Sequence, residues 1–224
     1  MKVSLVFTSV FFISLAAAAA VVVPEVPAFP VPAASSFPND TENGLSGPCA
    51  TLTFLFARGT FETGNVGERV GPPLISQLRD FYGTSITVQG VDYDASLLGY
   101  LQGGSPSGSA TLVDLINTAV SMCPKTTVIL GGYSQGAQLV HNAAAEISSA
   151  VSERIAAVVL FGDPNDVAFG GSSSPVGVIP SNKVDNFCHT DDIICTGAGG
   201  KAEHLNYDMD VTAAFTFILI KVSR

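Results

Sequence analysis

Short apolar runs alternate along the chain with segments in which apolar residues recur every three or four positions. Thr51 to Ala57 carries Leu52, Phe54, Leu55 and Phe56 in a nearly continuous run, the pattern of a strand buried on both faces. Ile86 to Gly90, Thr126 to Gly131, Ile155 to Phe161 and Val184 to Cys188 predict further strands. Helical patterns separate them. Gly71-Pro72-Pro73 opens a short helix with Leu74, Ile75 and Leu78 inward, Ser109 to Met122 places Leu112, Leu115, Ile116, Ala119 and Val120 on one face, and Ala137 to Ser149 follows the third strand. The last pattern, Met209 to Val222, has Val211, Ala214, Phe215, Ile218, Leu219 and Val222 at the spacing of a packed helix. Strands alternating with helices imply right-handed crossovers. The predicted fold is therefore an α/β three-layer sandwich, a central five-stranded parallel sheet with helices on both faces and no internal repeat.

The amino-terminal segment stands apart from this pattern. Met1 to Ala20 has one basic residue, Lys2, an apolar run from Val3 to Ile13 and small residues from Ala16 to Ala20, the layout of a secretory signal peptide, taken here as residues 1–18. A transmembrane anchor is the rival, since Val3 to Val23 is long enough to span, but the alanine-rich end favours cleavage. Residues 19–47 hold Pro24, Pro27, Pro30, Pro32 and Pro38 without a sustained period, and read as a pro-segment or linker. Asn39-Asp40-Thr41 within it is a glycosylation acceptor pattern. The domain expected to fold is 48–224. Lys221 and Arg224 and the lack of a polar spacer set the final helix apart from a lipid-anchor signal.

Composition narrows the possibilities. A chain of 224 residues allows one ordinary domain with appendages. Asp plus Glu number 19 against 10 for Lys plus Arg, a formal net charge of −9, which argues against a nucleic-acid partner. With 47% hydrophobic residues, 13% charged and a mean hydropathy of +0.41, the chain is not disordered throughout. Cys49, Cys123, Cys188 and Cys195 are an even set in a chain expected to be secreted, and two disulfides suit them better than a metal site, which would want closely spaced pairs. Cys188 with Cys195 closes a short loop and leaves Cys49 for Cys123.

The strongest chemical signal is Gly132-Tyr133-Ser134-Gln135-Gly136, a G-x-S-x-G sequence placed between a predicted strand and a predicted helix. So tight a turn pushes the Ser134 side chain out over the strand's carboxyl end as a nucleophile. A serine hydroxyl needs a neutral imidazole to take its proton, and a carboxylate to hold that imidazole. His141 falls well down the following helix and is expected to be a partly exposed helix residue. His204 lies before the final helix, where the order serine, acid, histidine is satisfied, and is preferred to His189. Asp163, Asp166, Asp191 and Asp192 all remain candidates for the acid on spacing. The Gln135 backbone N–H is expected to stabilise an oxyanion, with a second donor from Arg58-Gly59-Thr60.

These residues together resemble the fungal cutinases. Phe56-Ala57-Arg58-Gly59-Thr60, Glu62-Thr63-Gly64-Asn65-Val66-Gly67, Gly131 to Ala137, Cys188-His189-Thr190-Asp191-Asp192-Ile193-Ile194-Cys195-Thr196-Gly197 and His204-Leu205 stand in the family's order, and the likeness runs from about Cys49 to the carboxyl terminus. It implies a lidless α/β-hydrolase, a secreted serine esterase without cofactor or metal that cleaves carboxylic esters, notably those of the plant polyester cutin. The family pattern Cys-x-x-x-Asp-x-x-Cys falls on Asp192, the family base on His204 and the oxyanion hole on Thr60 and Gln135. The resemblance also supports Cys49 with Cys123 and Cys188 with Cys195. Asp191, where a small residue is expected, sets an extra carboxylate beside the proposed acid. Gly162-Asp163-Pro164-Asn165-Asp166 resembles related acetylxylan esterases and keeps a carbohydrate ester open as substrate.

An insoluble polyester or lipid-like ester is thus the expected partner, met by a monomer without stable membrane insertion. Leu97, Leu98, Leu101, Val176, Val178, Ile179 and Leu205 are expected in or beside loops that border the elbow as an apolar rim. A catalytically inert secreted binding protein on the same scaffold is the non-enzyme alternative.

Overall fold

The computed structural model describes residues 39–223. The proposed signal peptide, and the linker as far as residue 38, lie outside the described residues. Five strands, β1 (Leu52–Ala57), β2 (Ile86–Gly90), β3 (Thr127–Tyr133), β4 (Ile155–Phe161) and β5 (Val184–Phe187), form one sheet in the order β2-β1-β3-β4-β5, every neighbouring pair parallel. The helices are α1 (Gly71–Tyr82), α2 (Leu97–Leu101), α3 (Pro106–Met122), α4 (Gln135–Glu146), α5 (Ser149–Ser152), α6 (Ile193–Thr196) and α7 (Val211–Val222).

Alternation along the strands divides the core in two. Leu55 and Ala57 of β1 face one way and pack with Leu112, Ile116 and Ala119 of α3 and Leu139, Val140 and Ala143 of α4. Leu52, Phe54 and Phe56 face the other way, against Leu74, Ile75 and Leu78 of α1 and Val211, Ala214 and Ile218 of α7. The continuous apolar run in β1 is thus the mark of a strand covered on both sides, and each large side chain so buried contributes about 1.5–3 kcal/mol.

The sheet also places the site. Strand order reverses between β1 and β3, because the chain moves from β1 outward to β2 and then returns to the other side of β1. In such sheets the crevice for a ligand opens beyond the carboxyl ends at that reversal. Ala57 pairs with Gly132, so the two strands end level and deliver Arg58-Gly59-Thr60 and Ser134 to one edge. At the opposite edge a disulfide joins Cys49, ahead of β1, to Cys123, at the end of α3, with Cα atoms 5.5 Å apart. A second joins Cys188 to Cys195 across the loop after β5, at 5.9 Å.

Several features differ from the expected pattern, the short helices α5 and α6 among them. β3 continues through Gly132 and Tyr133, so the elbow serine follows the strand without a spacer. α2 falls in a stretch expected to be loop. Its five residues are too few for a period to show, and it is started by the Ser96 side chain, which accepts the Gly99 N–H. Residues 40–46, counted above with the linker, lie against the sheet. The Asp40 carbonyl accepts the N–H groups of Asn65 and Val66, Glu42 accepts that of Gly90 and pairs with Arg79, and Leu45 packs on the core.

Candidate active site

Ser134 stands in the turn between β3 and α4 with φ 55° and ψ −118°, a backbone conformation rare for a residue with a side chain. Packing around the turn enforces it. A Cβ on Gly136 would lie 2.0 Å from the Ala57 carbonyl oxygen, and one on Gly132 would lie 2.6 Å from the Gly136 carbonyl oxygen, so only glycines allow strand and helix this close. The Ser134 N–H donates to Phe161 O at 2.9 Å, and Oγ is left facing the carboxyl edge of the sheet.

His204 reaches that oxygen from a helical turn, Glu203–Leu205, far along the chain. Its Nε2 is 2.9 Å from Ser134 Oγ and its Nδ1 is 2.8 Å from Asp192 Oδ2. Nδ1 faces a carboxylate and therefore carries the proton, which leaves Nε2 to accept the serine O–H. The ring is stacked on Tyr133, with centroids 5.3 Å apart, and the Tyr133 hydroxyl donates to the His204 carbonyl at 2.7 Å. Gly162, at φ +55°, leaves room for the imidazole, since a Cβ there would come within 2.7 Å of it.

Asp192 caps α6. Its Oδ1 accepts the Ile194 N–H at 2.8 Å, while Oδ2 accepts from both His204 and the Tyr207 hydroxyl, the latter at 2.7 Å. Burial pushes this carboxyl up, but the hydrogen bonds from His204 and Tyr207 and the imidazole beside it outweigh burial and hold it below the usual carboxylate range. Asp191 is exposed, and its carbonyl accepts the Gly200 N–H.

On the other side of Ser134 lie two potential oxyanion donors. The Gln135 N–H belongs to the first turn of α4, where helix N–H groups lack partners within the helix. The Gln135 side chain donates from Nε2 to Thr60 Oγ1 at 2.9 Å and to the Ser96 carbonyl at 2.8 Å. With one lone pair so occupied, the Thr60 hydroxyl has its proton to donate. The loop carrying Thr60 is fastened by Glu62, whose carboxylate accepts the N–H groups of Gly59, Glu68 and Arg69 at 2.7–3.0 Å. Burial raises the Glu62 pKa and those three bonds oppose it. Arg58 is buried and donates to the carbonyls of Glu62, Val91 and Tyr93.

The remaining candidates fall elsewhere. His141 is buried rather than partly exposed, because the segment 162–175 covers it; its Nε2 is 2.6 Å from Asp163 Oδ2. Asp163 is therefore occupied by a different histidine, and Asp166 is bonded to Ser174 and Asn186. Ser174 Oγ reaches the same His141 nitrogen as Asp163, at 3.3 Å, so these three groups form a closed cluster and not a second relay. His189 pairs with Asp210 at 2.7 Å. Leu97, Leu98, Leu101 and Leu205 are exposed, the first three on α2, which Gln135 joins through Ser96. Val176 and Ile179 are buried in the core. Val178 is exposed, but its N–H bonds Ala144, nine residues after Gln135 in α4 and about 13 Å along the axis, so none of the three borders the elbow. Sequence reasoning gave no role to Tyr207 or to Glu62, although Glu62 stands in one of the family's motifs, because their partners depend on loops meeting in space.

Residues 48–222 match the family profile described as Cutinase. The chain is 48% identical over 187 residues to a cutinase of Blumeria hordei, spanning 82% of this chain and 77% of that one. It is 43% identical over 171 residues to a cutinase of Monilinia fructicola, spanning 76% and 82%. Among solved structures it is similar to a Trichoderma reesei cutinase in complex with a phosphonate inhibitor, at TM-score 0.74 and 39% identity over 83% of this chain and 81% of that one. An acetylxylan esterase at 22% identity and TM-score 0.65, over 78% of this chain and all of the other, shares the fold. The elbow, the five-stranded parallel sheet and these likenesses converge on one assignment: the chain belongs to the cutinase family.

Proposed function

We propose that the protein is a secreted serine esterase that hydrolyses the carboxylic ester bonds of cutin, with Ser134 as nucleophile, His204 as general base and Asp192 as the acid that orients it. The observation that carries this reading is the continuous line Ser134 Oγ, His204 Nε2, His204 Nδ1, Asp192 Oδ2, with gaps of 2.9 and 2.8 Å. As Oγ attacks the ester carbonyl its proton passes to Nε2, and the imidazolium is stabilised by the buried Asp192 carboxylate. The carbonyl oxygen becomes an oxyanion held by the Gln135 N–H and the Thr60 hydroxyl. Nε2 then protonates the departing alcohol, and water activated by the same imidazole releases the acid from Ser134.

The exposed leucines of α2 and Leu205 beside the base suit a waxy substrate that remains outside the protein. Secretion is supported by the layout of residues 1–20 and by the two disulfides. Among the described residues no helix is long and apolar enough to cross a membrane. The proposed triad and oxyanion groups lie within one chain, so a single copy carries a complete site.

Ser134→Ala is expected to lower kcat on a soluble butyrate ester by at least about 10⁴-fold with unchanged thermal unfolding. Parent-like turnover by that variant would overturn the triad. Release of hydroxy fatty acids from cutin, compared with release of acetate from acetylated xylan, tests the substrate, and faster turnover of the xylan would displace cutin.

A further inference from the structure

We infer that Tyr207 is a positioning residue for the triad, one whose hydroxyl governs how firmly Asp192 holds the proton of His204. This rests on the catalytic roles proposed above. Asp192 Oδ2 receives two donors, His204 Nδ1 at 2.8 Å and Tyr207 Oη at 2.7 Å, so the phenol and the imidazole share a single carboxylate oxygen.

The surroundings leave the hydroxyl little choice of direction. Tyr207 is completely buried, with its ring stacked on His189 at 4.1 Å and set edge-on to Tyr133, Phe161 and His204. Its oxygen accepts the His189 N–H at 3.0 Å, which consumes a lone pair and aims the O–H at Asp192. The other neighbour in reach is Cys195 Sγ at 3.5 Å, a disulfide sulfur and a weak acceptor. The titratable groups around this phenol are Asp192 and His204 in front, Tyr133 at its edge, and His189 with its partners Asp210 and Glu203 behind. Burial and the bond to Asp192 both push the phenol upward, so it remains an O–H donor wherever the enzyme works.

A buried tyrosine kept for bulk alone needs no acceptor on the catalytic carboxylate; phenylalanine would fill the same space. A donor on Oδ2 stabilises the carboxylate charge and weakens its pull on the Nδ1 proton, so the imidazole gives up a proton at Nε2 more readily. Loss of that donor would tighten the hold of Asp192 on the Nδ1 proton.

The test is the pH profile of kcat/KM on p-nitrophenyl butyrate. Tyr207→Phe is expected to move the acidic limb upward by about 0.5–1 pH unit, a loss of about 3- to 10-fold on that limb, with KM and the alkaline plateau little changed. Replacing Tyr207 by 3-fluorotyrosine, a stronger donor of nearly the same shape, is expected to move the limb the other way and decides the matter if Tyr207→Phe fails to fold. An unmoved limb with activity lowered evenly at all pH would reduce Tyr207 to a packing residue. That failure is distinguishable from failure of the triad itself: an inactive Ser134→Ala with an unmoved Tyr207→Phe limb overturns only the tyrosine, whereas an active Ser134→Ala overturns the roles on which it rests.

Discussion

Thr60 shows how a side chain near the chemistry is placed by another. Its hydroxyl accepts from the Gln135 carboxamide, so in the proposed oxyanion hole Gln135 offers one donor from its backbone and orients the other through its side chain. Thr60→Val keeps the shape and removes the hydroxyl. It is expected to lower kcat by about 10²–10³-fold with little change in KM, whereas Thr60→Ser should keep most of the activity; steady-state kinetics on a soluble ester separates the two. The proposed nucleophile was legible in the sequence because its pattern is local, a serine between glycines at a strand-to-helix turn. Thr60 and Asp192 were legible only through resemblance, since residues 60, 134, 192 and 204 meet through sheet order and loop packing. Tyr207 left no sequence signal of its own, because an aromatic residue ahead of a packed helix reads as ordinary core.

At the scale of elements, the segment 162–175 carries a buried acidic pair, Asp163 and Asp166, apart from the site. Asp163 caps its own turn through Asn165 and meets His141 with Oδ2, while Asp166 accepts from Ser174 N at 2.8 Å and Asn186 Nδ2 at 2.8 Å. Burial, and next the neighbouring Asp163 charge, push the Asp166 carboxyl up to about 6. A carboxyl raised on folding favours the fold while protonated. Its contribution is full below the ordinary carboxylate value near 4 and is lost as pH rises through about 6. Asp166→Asn should therefore flatten the dependence of urea midpoint on pH between about 4 and 6; Asn186 can serve it by turning its amide, whose Oδ1 is buried without a partner. An equal slope in parent and variant would place the titration elsewhere. Periodicity could not reveal this cluster, since the expected exposure of His141 was read from its own helix alone and the covering segment has no period. The main helices and all strands, by contrast, were legible from period and run length, while α2, α5 and α6 are too short for either.

Across the whole molecule the two disulfides divide stability from function. Cys49–Cys123 closes a separation of 74 residues at the edge of the sheet remote from Ser134, and Cys188–Cys195 closes 7 around Asp192. Chain entropy assigns about 4.5 kcal/mol to the first and about 2.5 to the second. Replacing the first pair by serines should lower the urea midpoint more while leaving kcat near the parent at 20 °C, and replacing the second should cost less stability yet cut kcat. If both variants lost activity in proportion to stability, the two ends of the sheet would not be independent.

One contact has a wider effect. Gly136 lets α4 lie directly on the carbonyl of Ala57, backbone against backbone, and the Arg58 carbonyl is close on the same side. That contact is the spacer between the two proposed oxyanion donors, because one hangs from the first turn of α4 and the other from the loop leaving β1. A methyl group there would suit the helix by propensity, yet it would prise the donors apart. At this position, improving the helix and preserving the catalyst are opposed demands.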